Sequence, residues 1–246
     1  MRTGNLMTAA ALAIAAGFLS PIAQATPLTP GDTIIVTGST SASNPELAGV
    51  ILQDSILTTN SMQVPPEANP LVNFADFDVQ NRVVQSGMDG TMIFMPRILF
   101  SRNVTPYPLQ VNRVEMFGFG DYAIDATYRT DGLGDSGPTF GARSADGQIL
   151  SFDFGFPLVI SNLFAGLQEE SYFFSLKSDA TEFENSGRLS IFAQAVGDPV
   201  QGREYRFDVG GIAVPTDTPP VPLPASLPFL AIAIGALTAF RRRDSE

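Results

Sequence analysis

The side chains best placed to do chemistry gather between Asp121 and Pro138. Residues 130–138 read T-D-G-L-G-D-S-G-P, which sets Asp131 and Asp135 four residues apart among glycines, with Asp121 and Asp125 shortly upstream. Carboxylates on a flexible loop suit a hard cation that takes oxygen ligands, and calcium is the ion they fit. The spacing is neither that of an EF-hand loop nor that of a Gly-rich calcium nonapeptide, so a solvated turn is the competing expectation. Ser136 offers a hydroxyl nucleophile in the same run. It would need a base, and the chain contains no histidine. A Ser-His-Asp set is therefore excluded, and a tight turn is the expected role of residues 134–138. Cysteine is absent as well, which removes Cys-His catalysis and thiolate-bound zinc. Asp76, Asp78 and Asp153 are expected on the polar faces of strands, and paired carboxylates could in principle serve glycoside hydrolysis. Acidic pairs are common where 25 Asp and Glu face 14 Lys and Arg, and nothing singles one out. The expectation is a protein that is not an enzyme, with no cofactor other than calcium at Asp131 and Asp135.

The elements that position these residues read as strands. Residues 149–156 place Leu150, Phe152, Phe154 and Phe156 at period two with Ser151, Asp153 and Gly155 between them, the clearest alternation in the chain, and the three phenylalanines are expected to line the core rather than form a binding platform. Further strands are expected over 32–40, 47–52, 55–59, 71–85, 91–100, 109–119, 122–129, 158–163, 170–177, 187–196 and 204–209. Pro96 should mark a bulge, an edge or a break. Ser86-Gly87-Met88-Asp89-Gly90 should turn a hairpin. Short strands at turn-signalled spacing, with no long amphipathic helix, predict an all-β protein built as an antiparallel β-sandwich, jelly-roll-like, over residues 26–211. Residues 212–220 are rich in Pro and Thr and read as an extended linker.

The two ends read differently. Residues 1–25 have a basic start at Arg2, an apolar stretch over 7–19, a helix breaker at Pro21 and small residues at Ala23 and Ala25. This is the pattern of a secretory signal peptide cleaved after Ala25, with an uncleaved anchor as the alternative. Setting aside Arg2, Arg241, Arg242, Arg243, Asp244 and Glu246 leaves 10 basic and 23 acidic residues, a net charge of −13. Such a charge repels nucleic acid and anionic membranes, so neither is expected as a partner of the domain. Tryptophan is absent. Indole stacking on a sugar is therefore excluded, although Phe and Tyr can stack. At the other end, residues 225–240 carry no charge and are followed by Arg241, Arg242 and Arg243. A helix of sixteen residues spans roughly 24 Å, short of a bilayer core of about 30 Å. Arginine snorkelling and residues 221–224 can make up the difference. The arginines orient such a transmembrane helix with its C-terminus in the cytoplasm.

Val221-Pro222-Leu223-Pro224-Ala225, the apolar helix and the arginine cluster together resemble the PEP-CTERM class of bacterial sorting signals, in the VPLPA-CTERM version. The resemblance covers residues 221–246 and no more. It implies export from a Gram-negative cell, transient tethering in the inner membrane and processing by an exosortase-type enzyme. Release or attachment at the cell surface would follow, often alongside exopolysaccharide. On that basis the expected function is a structural or adhesion protein of the cell surface or extracellular matrix. A carbohydrate-binding or polysaccharide-associated module is the second expectation, and a carboxylate-dependent hydrolase the third.

Overall fold

The structure is a computed structural model and describes residues 25–64, 74–103, 108–160, 169–198, 200 and 202–217. In chain order its strands are β1 (Thr26–Pro27), β2 (Thr33–Ile35), β3 (Gly38–Ser39), β4 (Gly49–Thr58), β5 (Met62–Gln63), β6 (Phe74–Ser86) and β7 (Met92–Asn103). There follow β8 (Leu109–Phe117), β9 (Ile124–Arg129), β10 (Phe140–Arg143), β11 (Ile149–Ile160), β12 (Phe173–Ser178), β13 (Glu182–Ala195) and β14 (Tyr205–Thr216). One short 3-10 turn, Pro45–Leu47, precedes β4. The protein is all β. Among the described residues the strands form two antiparallel sheets, as in a β-sandwich. An eight-stranded sheet runs β1-β9-β12-β7-β6-β4, with β3 on β9 and β5 on β6, and a six-stranded sheet runs β14-β13-β8-β11-β10-β2. Among the described strands only the β3–β9 pairing is parallel.

The inner faces fill with the apolar residues that the alternation marks. Phe77, Phe94, Phe119, Phe152, Phe174 and Phe207 are all fully buried. They meet edge to face: Phe77 on Phe207 at 4.8 Å, Phe94 on Phe119 at 5.5 Å and Phe152 on Phe174 at 5.1 Å between ring centroids. Each buried phenylalanine is worth about 1.5–3 kcal/mol of transfer free energy, which is why a domain of this size holds without disulfides.

Where the pattern broke in the sequence, the structure has a bulge. Along β8 the buried parity changes from Leu109 and Val111 to Val114 and Met116. Both neighbours skip a residue there, because Phe192 faces Arg113 while Ala193 faces Val111, so Asn112 is the extra residue. The same step is wider on β11, where Asp153 pairs with Arg113 and the next paired residue, Leu158, pairs with Val111. Phe156 sits on the loop this makes and is 86% exposed, against the expectation that it lines the core. Leu158 and Ile160 then resume the buried face.

Pro96 lies inside the first sheet, opposite Asn81 of β6. Its missing N–H coincides with the end of the β7–β12 ladder, whose pairs are Leu176 with Phe94 and Lys177 with Ile93. The hairpin at 86–90 is as expected, with Gly90 at φ 75°, a conformation that favours glycine. β14 corrects the linker boundary. It continues to Thr216, with Ile212, Ala213 and Val214 buried. Asn81 fixes it by donating to Gly211 O and accepting from Ala213 N. The sheet therefore claims 212–216, and Pro215 is tolerated because β14 is an edge strand. The expected features at 1–24 and 218–246 lie outside the described residues. These include Ala23, Val221, Pro222, Leu223, Pro224, Ala225, the apolar helix, and Arg241, Arg242 and Arg243. Among the described residues no helix is long and apolar enough to cross a membrane.

Candidate functional site

The outer face of the eight-stranded sheet carries a second, smaller core. Outward residues of β6, β7 and β12 (Val84, Ile93, Met95 and Phe173) are capped by Leu47 from the 3-10 turn. The segment before the turn is folded onto this face by its own polar groups. Asn44 N donates to Thr40 O at 2.9 Å and Asn44 Nδ2 to Glu46 Oε1 at 3.0 Å. Arg129 of β9 clamps it by donating from Nη1 to Leu47 O at 3.0 Å.

Beside this cap runs a trough of about 350 Å³. Phe173, Met95 and Val84 line it with Leu47, Ala48, Gly49 and Ile51 on one side and Asp131, Gly132 and Leu133 on the other. Arg82 and Arg129 supply its cationic groups, and Ser41 a hydroxyl. Leu133 at 66% and Ile51 at 53% stand exposed on the two sides. The trough crosses strands β4, β6, β7, β12 and β9, so a ligand lying in it would run across the sheet.

Its charges are paired. Arg82 Nη2 reaches Asp54 Oδ2 at 2.7 Å, and the guanidinium lies 4.4 Å from the Phe173 ring centroid. Arg82 Nε is buried and has no hydrogen-bond partner, a cost offset in part by that cation–π contact. Burial raises the Asp54 carboxyl, but hydrogen bonds from Arg82 and Gln80 outweigh it, and the group titrates below its usual range. Arg129 grips Asp131 with a fork, Nε to Oδ1 at 2.7 Å and Nη2 to Oδ2 at 2.9 Å, while Ser41 N and Oγ both donate to Oδ2 at 2.7 Å. The fork holds the Asp131 carboxyl well below the usual carboxylate range. Near neutral pH both carboxylates are thus ionised and held by their guanidinium partners. The trough offers an apolar floor with fixed polar edges, which is a shape for binding.

The calcium expectation is not supported by this geometry. Both oxygens of Asp131 are occupied by Arg129 and Ser41, so a cation would have to displace a guanidinium. Asp135 turns instead to the backbone of Glu170, whose N donates to Oδ2 at 2.9 Å, and Asp135 N donates back to Glu170 O at 2.8 Å. Asp125 points from the outer face of β9 into a different cavity. Among the described residues no three acidic side chains gather to hold a metal ion. Residues 134–138 do not close the expected tight turn; they bend at Asp135 and lie against the segment at Ser171. Ser136 bridges Ser171, with Tyr172 N donating to Ser136 O at 2.7 Å, and Gly134 packs where a Cβ would lie 2.6 Å from Ser171 O. Asp76, expected on a polar surface, is buried and accepts from Ser61 Oγ at 3.1 Å.

The sequence reading missed the working positions of the arginines. Arg97 and Arg82 flank Phe173, Arg113 and Arg206 face Phe192, and Arg188 covers Phe117 at 4.1 Å. Outward phenylalanines in an otherwise alternating strand were the available signal, because a ring on a solvated face needs a lid. Arg143 is the extreme case. It is 5% exposed and donates to five backbone carbonyls: Leu28, Phe119, Gly120, Tyr122 and Gly147. No family model, curated protein or solved structure matches this chain.

Proposed function

We propose that this is an exported, non-enzymatic β-sandwich protein of the cell surface or extracellular matrix, with a structural or adhesive role. Its closest architectural description is jelly-roll-like, since the chain passes repeatedly between sheets after β7. The observation that carries the functional reading is the C-terminal arrangement of Val221-Pro222-Leu223-Pro224-Ala225, an uncharged run and Arg241, Arg242 and Arg243, opposite a leader ending at Ala25. It resembles a VPLPA-CTERM signal, which implies transient inner-membrane tethering and an exosortase-type processing enzyme as partner. The arginine arrangement supports the exclusion of nucleic acid as a partner: Arg82, Arg97, Arg113, Arg129, Arg143, Arg188 and Arg206 serve rings, carboxylates and carbonyls of the fold itself. Replacing Arg241, Arg242 and Arg243 with Ser tests the sorting step. Unprocessed protein in the membrane fraction is the expected result. Normal processing and release would overturn the sorting reading.

The trough favours a second reading, a module that holds extracellular polysaccharide. A pyranose has an apolar CH face and a hydroxyl edge, which match the Phe173–Met95–Val84 floor and the Arg82–Asp54 and Arg129–Asp131 edges. The exposed Leu133→Asp change should leave melting unchanged and abolish retention on immobilised glycans. If the wild type is retained on none, or the variant is retained equally, the trough is not a saccharide site.

A further inference from the structure

A second cavity, about 330 Å³, opens at the start of the sandwich. Ala25, Pro27, Glu46, Asp125 and Lys177 line it. The chain is held in place here. Thr26 pairs with Ala126 and Pro27 with Asp125, and Leu28 N donates to Ile124 O at 2.8 Å. The peptide bond between Ala25 and Thr26 is therefore fixed at the rim of a cavity with two carboxylates.

Those carboxylates are short of a cation. Asp125 accepts no hydrogen bond from any described residue. Lys177, the chain's single lysine, is tied to Asp89 of the 86–90 turn at 2.6 Å. Glu46 accepts from the Asn44 amide, and Asp179 in the adjoining cavity from Ala123 N at 3.0 Å. Burial pushes the Asp125 carboxyl up, Lys177 pulls it down, and the charge of Glu46 pushes it up again, with a net rise. A carboxylate whose folded pKa is raised opposes folding once it is ionised.

We propose that cleavage after Ala25 supplies the missing cation: the new α-ammonium of Thr26 pairs with Asp125 and Glu46 and fastens β1 to β9. The inference rests on reading residues 1–25 as a cleaved leader. In the cleavage a membrane leader peptidase adds water across the bond. The hydroxyl goes to the Ala25 carbonyl carbon and the hydrogen to Thr26 N. The acid so formed gives its proton to the amine, leaving a carboxylate on the departing leader and an ammonium on the domain. The unprocessed chain has a neutral amide at that point. Removal of the leader thus changes the electrostatics of the first strand, and the mature fold is tighter than its precursor.

The sign follows from linkage. An α-amine paired in the folded state has a raised pKa. Its contribution is full below the ordinary value of about 7.7–8.0 and is lost as the pH rises through the folded pKa. The charged groups lining this cavity and the adjoining one are Asp125 on β9, Glu46 on the 3-10 turn, Lys177 on β12 with Asp89 bound to it, and Asp179 beyond β12.

The exported, processed protein can be dimethylated on its amines with ¹³C-formaldehyde and titrated by NMR, folded and in urea. Only Thr26 Nα and Lys177 Nζ can carry label, so the two signals are assigned by the Asp125→Asn and Lys177→Arg variants. The α-amine should titrate at higher pH folded than in urea, and Asp125→Asn, which removes a charge the fold disfavours, should close the gap. Equal values in the two states, or an unchanged gap in Asp125→Asn, would overturn the pairing while leaving the leader reading intact. A mass spectrum that begins at another residue overturns the leader reading, and the pairing with it.

Discussion

Replacing Arg143 with Ala should be among the most damaging single changes outside the apolar core. The guanidinium donates to Phe119 O at 2.8 Å, Tyr122 O at 2.9 Å, Gly147 O at 3.0 Å, Leu28 O at 3.1 Å and Gly120 O at 3.2 Å. It thereby joins the segment after β1, the connection between β8 and β9, and the turn between β10 and β11. Burial lowers its pKa and Asp179 partly restores it, but an arginine does not lose its proton at any working pH. Hydrogen bonds to a charged group are each worth about 1.5–3 kcal/mol, and they do not add. Leaving several buried carbonyls without a donor is expected to cost ~3–5 kcal/mol in total. In a domain of this size 1 kcal/mol moves the melting temperature by about 2–4 °C, so a loss of roughly 6–20 °C is expected. Arg143→Lys keeps the charge but loses the fork and should fall between the two. Thermal unfolding followed by near-ultraviolet circular dichroism measures it. A melting point within about 2 °C of wild type would show that water replaces the guanidinium at no cost, and that Arg143 does not hold the three segments together.

Three further outcomes follow from the same structure. Phe152→Ala should cost about 3–5 kcal/mol and Phe156→Ala less than about 0.5 kcal/mol, two residues of identical type four apart on β11; similar losses on denaturant unfolding would contradict the bulge after Asp153. Asp131→Asn should remove no more than ~1 kcal/mol at neutral pH, because the pair with Arg129 is partly solvated. The folded carboxyl is depressed, so its contribution is present above the ordinary value of 3.8 and fades as the pH falls below it. Melting curves of wild type and variant should therefore converge in strong acid and stay parallel from neutral to alkaline pH. Chelator should leave the melting point where it is, since the carboxylates of Asp131 and Asp135 are satisfied by the protein; a downward shift would restore calcium to the account.

The sandwich was readable in the sequence because its core strands alternate cleanly, as in Leu189, Ile191, Ala193 and Ala195 of β13, all buried as their parity requires. The errors have local causes. A bulge adds a residue that propensity does not announce, so Phe156 was assigned to the wrong side and the two parities of β8 looked mixed. Residues 212–216 combine Pro and Thr with Ile, Ala and Val, and composition favoured a linker; the side chain of Asn81, 130 residues away, holds the backbone in the sheet. The short strands β1, β3 and β5 have only two residues each and exist by pairing alone, with no periodicity to read. The trough was hidden for a related reason. Its lining comes from five strands and two loops, and only the fold brings Gly49, Arg82, Met95, Arg129, Leu133 and Phe173 together. The tail was the opposite case, a contiguous pattern whose meaning lies in order and spacing.

The central claim is that this β-sandwich is exported and trimmed at both ends before it works at the surface. Intact-mass spectrometry of the protein recovered from the cell surface or medium tests it most directly. The expected mass corresponds to a chain that begins at Thr26 and lacks Arg241, Arg242 and Arg243. A mass retaining residues 1–25 or the arginine cluster would contradict it.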